Sequence, residues 1–180
     1  YDIKYTLDEI PKASKQIVSG VSRVSRIIKS MKEYSHPGHK EPVDADINQL
    51  IQTTIDMIQD KKKKNFEIQT DYCQTLPEIK CFPGELSQVF MNLLINAADA
   101  IHEKGEFGIV KVYTEIKENE IIITIVDTGY GIQDDIKDFI FNPFFTTKEA
   151  GRGTGQGLYI VHNIIQKHNG NISFESKAGQ

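Results

Sequence analysis

Residues 88–101 read QVFMNLLINAADAI, with Asn92 and Asn96 four apart and Asp99 three further on in an otherwise apolar helical pattern. Asparagine is a mediocre helix former, because its amide competes with the backbone for hydrogen bonds. At 100° per residue, Gln88, Asn92, Asn96, Asp99 and Glu103 fall within an arc of about 80°. Leu86, Val89, Phe90, Leu93, Leu94, Ala97 and Ile101 cover the neighbouring arc. A solvent face would carry Lys, Glu and Arg. Short carboxamides instead hold uncharged oxygens in fixed positions, and such hard oxygens suit Mg²⁺ that already carries phosphates and waters. Taken alone, the helix is equally well read as a polar side that happens to use asparagine.

Two glycine segments shift that balance. Asp127 to Ile132 read DTGYGI, directly after the alternating run IIITIV. An aspartate at a strand end, followed by glycines, presents a carboxylate into a cleft while the backbone comes close to a flat ligand. A carboxylate accepts from the exocyclic amine of adenine, where guanine offers a carbonyl. Gly151 to Leu158 read GRGTGQGL and lead into a helical pattern. Consecutive unhindered backbone N–H groups ending at a helix N-terminus make a phosphate cradle. The segment is neither GxxxxGK[ST] nor GxGxxG, which disfavours P-loop, Rossmann and protein-kinase glycine loops. Between the two lies IFNPFFTTKE, with Phe141, Phe144 and Phe145 beside Lys148. The aromatics fit a satellite core under a loop, but a loop this long in a compact domain is more often a functional lid.

The elements that must position these groups follow from periodicity. The first stretch is one long helix, with Ile10, Ile17, Val24 and Met31 recurring every seven residues and Val21 and Ile28 between them. That heptad-like stripe suits a helical bundle, with a helix folded back on the main domain as the alternative, and His36-Pro37-Gly38 ends it. Beyond it, DINQLIQTTIDMIQDK predicts an amphipathic helix capped by Asp46, and FEIQTDYC a strand. PGELSQVFMNLLINAADAIHEK predicts the asparagine helix. IVKVYTEI and IIITIVD predict an antiparallel hairpin turning at KENE. LYIVHNIIQKH predicts a helix stopped at Asn169-Gly170, and ISFES a strand. The class is α+β, a mixed sheet with helices on one face.

Bulk properties narrow the partners. A chain of 180 residues with a net charge of −4 offers no electrostatic case for nucleic acid or an anionic membrane. The run Lys61 to Lys64 reads as a solvated helix end. No apolar run approaches a membrane span, so membrane contact by this stretch is not expected. Cys73 and Cys81 match no metal or CxxC spacing and read as free thiols in a reducing cytoplasm, with a disulfide between neighbouring strands as the alternative. The chain opens at Tyr1 rather than methionine, as a fragment does.

Taken in order, NLLINAADA, DTGYGI, FNPFFTTK and GTGQGL resemble the N, G1, F and G2 boxes of bacterial sensor histidine kinases. These belong to the superfamily that also holds gyrase, Hsp90 and MutL ATPases. The resemblance covers residues 45–180. Residues 1–35 look like the second helix of a dimerisation and phosphotransfer domain, so the expected division is 1–38 for that helix and 39–180 for the catalytic domain. It implies a two-layer α/β sandwich of the Bergerat type, with ATP and Mg²⁺ under a mobile lid. Asn96 would coordinate the metal, with Asn92 beside it in the phosphate environment. Asp127 would take the adenine amine, with Gly129 and Gly131 shaping the pocket. Gly153, Gly155 and Gly157 would let the lid backbone close over the phosphates, with Thr147, Lys148, Thr154 and Leu158 in the same binding set. Lys148 and Arg152 are candidates for countering the γ-phosphate charge. Implied partners are a second copy through the helical bundle and a response-regulator receiver domain, and the implied location is cytoplasmic even where a parent protein is membrane-anchored.

The sequence departs from the family pattern at Asp99, where many members carry lysine or arginine, and in lacking the strand that usually follows AGQ. It also departs in chemistry. ATP-hydrolysing relatives place a glutamate general base four residues before the metal asparagine, and here that position is Asn92, which cannot take a proton. A neutral imidazole brings its own lone pair, which favours phosphotransfer to histidine over an ATP-hydrolysing conformational switch of the gyrase, Hsp90 or MutL type. None of His36, His39, His102, His162 and His168 fits the acceptor pattern of histidine, acidic residue and nearby proline. The chain is therefore expected to bind nucleotide yet not phosphorylate itself alone. His168 reads instead as a helix-cap partner.

Overall fold

The computed structural model describes residues 41–59, 65–149, 153–177 and 179. The helix expected over 1–38, the lysine run 61–64 and Arg152 lie outside the described residues.

Strand β1, Val43–Ala45, leads through Asp46 into helix α1, Ile47–Gln59. Asp46 Oδ1 accepts the Gln49 N–H at 3.1 Å, which gives one orphan donor of the first turn a partner. Ile47, Ile51 and Ile55, four apart, are at most 1% exposed, and each contributes about 1.5–3 kcal/mol by leaving water. Thr54 is buried among them, its hydroxyl satisfied by donating to Leu50 O at 2.8 Å.

The main sheet is mixed, in the order β2 (Phe66–Tyr72), β4 (Gly108–Lys117), β5 (Glu120–Asp127). β2 runs parallel to β4, and β4 antiparallel to β5. Lys117 pairs with Glu120, so Glu118 and Asn119 alone make the turn. Both are left-handed, at φ 50° and 70°, as a two-residue turn matching the strand twist requires. A second, two-stranded sheet pairs β1 with β3 (Ile79–Cys81) in antiparallel register. These two strands of three residues each are too short to leave a periodic signal.

Register decides which side of the main sheet is apolar. Phe66 and Ile68 of β2 stand beside Gly108 and Val110 of β4, and Val110 and Val112 stand beside Asp127 and Ile125 of β5. Side chains alternate between faces, so Asp127 ends β5 on the side that carries the core. Helix α2, Pro83–Lys104, packs there with Leu86, Val89, Phe90, Leu94, Ala97 and Ile101 buried, and lies against α1, β4, β5 and helix α3, Gly157–Lys167. Proline occupies the first turn of α2, and Gly105 closes it at φ 80°. Gly108 is one place where glycine is required, since a Cβ would lie 2.5 Å from Ile101 Cγ2 and 2.8 Å from Thr128 Oγ1.

The strand expected at ISFES does not form. Residues 171–177 join no ladder. They are held by single contacts instead, Ile132 N–H to Ser176 Oγ at 2.8 Å and Lys137 Nζ to Ser176 O at 2.7 Å. Alternation alone supplies no partner, and a strand exists only as part of a pair. Both cysteines are free thiols, Cys81 buried and Cys73 half-buried. Among the described residues no helix is long and apolar enough to cross a membrane.

Candidate functional site

The polar stripe of α2 faces the segment between β5 and α3. Asn92 lies against the start of α3, where its Nδ2 donates to Gly157 O at 3.4 Å. That contact orients the amide and ties the asparagine helix to the lid's helix. Asn96, one turn on, turns its Oδ1 toward the Lys148 ammonium at 3.5 Å. The same ammonium reaches Asp99 Oδ2 at 2.5 Å, and its side chain is 20% exposed. Asp99, His102, Glu103 and Lys148 line a narrow cleft of about 80 Å³.

At the far end of the stripe, β5 delivers the first glycine segment. Asp127 Oδ1 accepts the Gly129 N–H at 2.8 Å, which fixes the carboxylate and leaves the exposed side chain its second oxygen. Gly129 is buried against α2, where a Cβ would come within 2.5 Å of Ala100 Cβ and 2.9 Å of its carbonyl carbon. Gly131 turns the chain at φ 74°. Sequence alone does not single out Tyr130 between them. Burial pushes its phenol above the ordinary 10.0, a hydrogen bond with Thr147 opposes the shift, and the Glu103 and Asp99 carboxylates add to it. Thr147 is thereby brought against the first glycine segment. A tyrosine in a glycine turn carries no periodic signal, so only the folded loop reveals it.

The lid segment holds the remaining candidates. Asp134–Phe139 forms a short 3₁₀ helix, and the aromatics from its last residue onward split into two groups. Phe139 and Phe145 lie 6.2 Å apart, while Phe141 packs on His162 at 5.6 Å and on Phe174 at 5.9 Å. The segment thus has a satellite core and also leaves Phe144 59% exposed. Phe144 is left-handed at φ 67° where Gly155, at φ 65°, crosses its backbone. A Cβ at Gly155 would lie 2.5 Å from Phe144 O, so the crossing needs glycine for space as well as for φ. Gly153 is pressed on Thr146, whose hydroxyl accepts the Lys148 N–H at 3.2 Å. Thr154 Oγ1 accepts the Gln156 N–H at 3.3 Å just ahead of α3. Leu158 is half-buried in the first turn of that helix.

The structure thus gathers Asn92, Asn96, Lys148 and Gly157 at one end of the stripe and Asp127, Gly129 and Thr147 near the other. His168 stands apart from both groups, where its Nε2 accepts the Phe82 N–H at 3.0 Å and its Nδ1 contacts Ile164 O at 2.8 Å. It caps the end of α3 and joins it to the start of α2.

Residues 83–180 match the family described as histidine kinase-, DNA gyrase B-, and HSP90-like ATPase. The chain belongs to this ATPase family. The sensor histidine kinase ZraS of Escherichia coli (strain K12) is 36% identical over 159 residues, 88% of this chain and 33% of that protein. The catalytic domain of histidine kinase ThkA superposes with a TM-score of 0.62 at 30% identity, covering 71% of this chain and 81% of that one. ThkA in complex with response regulator protein TrrA superposes at 0.64 with 27% identity, covering 89% of this chain and 45% of that one. Within the ATPase family the chain is therefore an ATP-binding domain of the histidine kinase type, and its mixed sheet under helices is the fold of those catalytic domains. The chain spans about a third of the length of the curated relative from Escherichia coli.

Proposed function

We propose that this chain is the catalytic ATP-binding region of a sensor histidine kinase. It transfers the γ-phosphoryl group of ATP to a histidine on a helix other than those described, for relay to an aspartate of a response-regulator receiver domain. In this reading residues 1–38 supply the second helix of the dimerisation domain, through which two copies associate, and residues 39–180 form the catalytic domain in the cytoplasm.

One observation carries the choice of reaction: the position that would hold a general base is Asn92, and its amide is engaged with Gly157 O. An amide takes no proton at neutral pH, so a water molecule has nothing at that position to activate it. A neutral imidazole needs no such help. The chain's remaining task is to position ATP and shield its charge while the acceptor attacks in line.

The residues present fit both cofactors. Asn96 Oδ1 already faces the ammonium of Lys148, so its oxygen is turned toward a cation beside the cleft. Asn96 would hold Mg²⁺, which when bound neutralises charge on the transferring phosphate. Asp127, with one oxygen fixed by Gly129 and the other exposed, would accept the adenine amine, and Gly131 would shape the rim beside it. The strip Gly153, Thr154, Gly155 and Gly157, with Thr147 and Leu158, would lay backbone donors along the phosphates. Lys148, with Arg152, would counter the γ-phosphate. Of the three described histidines, His168 has both ring nitrogens engaged and His162 packs on Phe141, while His102 lines the cleft beside Lys148 but lacks the nearby proline of the acceptor pattern. Incubating the chain alone with γ-labelled ATP tests the reading. We expect no acid-labile label on the chain itself and transfer to an added histidine-bearing helical domain; steady release of free phosphate without that domain would favour the ATP-hydrolysing alternative.

A further inference from the structure

Asp99 stands where a carboxylate is electrostatically awkward. It lies three residues past Asn96 on the same side of α2, next to the corner assigned above to metal and terminal phosphate. A bare carboxylate there repels a triphosphate. It is not bare, because the Lys148 ammonium sits on its Oδ2 at 2.5 Å while also contacting Asn96 Oδ1 at 3.5 Å.

Lys148 comes from the lid segment, 49 residues further along the chain than Asp99. Its side chain is the better buried of the two, 20% exposed against 46%. An ammonium has three N–H donors and no acceptor. Two are directed at Asp99 and Asn96, which leaves one for a further oxygen. A free lysine would lose rotamer entropy to hold that place, and the carboxylate holds it there in advance. The remaining cleft lining, Glu103 and His102, offers no other fixed cation.

We propose that Asp99 is a positioning residue: it recruits the lid's Lys148 to the Asn96 corner, so that the third donor meets the terminal phosphate of a nucleoside triphosphate and not the shorter diphosphate. The acidic side chain thereby imports from the lid the positive charge that the polar stripe of the helix lacks. The inference rests on the nucleotide-site reading and adds to it a means by which triphosphate and diphosphate are told apart.

The test is a double-mutant cycle read by calorimetry on the full chain, with Mg²⁺ and either a non-hydrolysable ATP analogue or ADP. Asp99→Asn should weaken the ATP analogue about fivefold and leave ADP within about twofold, and Asp99→Glu should keep the parent ratio. In a Lys148→Met background the weakening should vanish or reverse, with Asp99→Asn leaving the ATP analogue unchanged or tightening it, because only repulsion is then removed. Tightening in both backgrounds would show that Asp99 acts by repulsion alone, and equal weakening in both would show that it acts without the lysine. Either result overturns the proposal. Failure of the parent chain to bind either nucleotide overturns the nucleotide-site reading and this inference with it. Melting curves of all variants exclude unfolding as the cause, and Asp99→Ser serves as the second neutral variant.

Discussion

Lys148 and Asp99 form the ion pair that joins the lid segment to the asparagine helix, at 2.5 Å with the aspartate side chain 46% exposed. Solvent screens a pair this open, so its worth to folding is about 0–1 kcal/mol. Asp99→Asn should therefore shift the melting temperature by only a few degrees. A large drop would mean that the pair holds up the domain, not the site.

Asn96 is predicted to be required for nucleotide binding with Mg²⁺ but not for folding. Asn96→Ala removes a half-buried oxygen whose partner in the structure is the Lys148 ammonium at a long 3.5 Å, and should leave the melting temperature near the parent value. Affinity for an ATP analogue with Mg²⁺ should fall by about tenfold or more. Calorimetric titration reads the loss, and unchanged affinity would remove Asn96 from the metal corner.

The two glycine segments should fail in different ways. Gly129→Ala drives a Cβ into Ala100 of α2, against backbone as well as side chain, and overpacking of this kind costs about 1–3 kcal/mol of global stability. Gly155→Ala strains a left-handed residue against the Phe144 backbone, at about 1–3 kcal/mol. That strain falls within the lid, where local opening relieves it. Denaturant melts should register the first substitution. Hydrogen exchange in residues 144–157 should register the second, with faster exchange there and little change in β4.

His168→Ala should destabilise the fold although it lies far from the stripe. It leaves the part-buried Phe82 N–H without its acceptor, a loss of about 1–3 kcal/mol. The neighbouring clasp, Lys167 Nζ to Glu85 Oε1 at 2.6 Å and over the Phe82 ring at 4.0 Å, weakens with it. Thermal denaturation measures the drop, while nucleotide affinity at a temperature where the variant is folded should stay within about twofold of the parent.

Stability should decline on the alkaline side. Burial pushes the Cys81 thiol above its ordinary 9.0 and the Tyr130 and Tyr72 phenols above 10.0. Groups whose folded pKa is raised stabilise the fold fully below their unfolded values, and that contribution is lost as pH rises through the folded ones. Melting temperature should thus be insensitive to these groups between pH 7 and 8 and fall above about pH 9. A flat profile to pH 11 would contradict the burial of Cys81.

Helix α2 was legible in the sequence to its end residues, because proline in the first turn and glycine after the last mark where 3.6-residue periodicity starts and stops. The β4–β5 hairpin was legible for a similar local reason, two alternating runs around a turn. β1 and β3 were not, since three residues cannot display a period. ISFES alternates as a strand does, yet whether a ladder forms depends on a neighbour's free edge and not on the segment itself.

By itself the sequence determined the α+β class, the amide stripe on α2, the glycine boxes and the lack of a base at position 92, since residue type and short spacing carry each of these. Tertiary structure alone decided that Lys148 belongs to Asp99 and Asn96, that Tyr130 meets Thr147, and that Gly129 must be bare because Ala100 is behind it. Those contacts join residues tens of positions apart, and a chain's local pattern holds no record of which distant segment will pack against it.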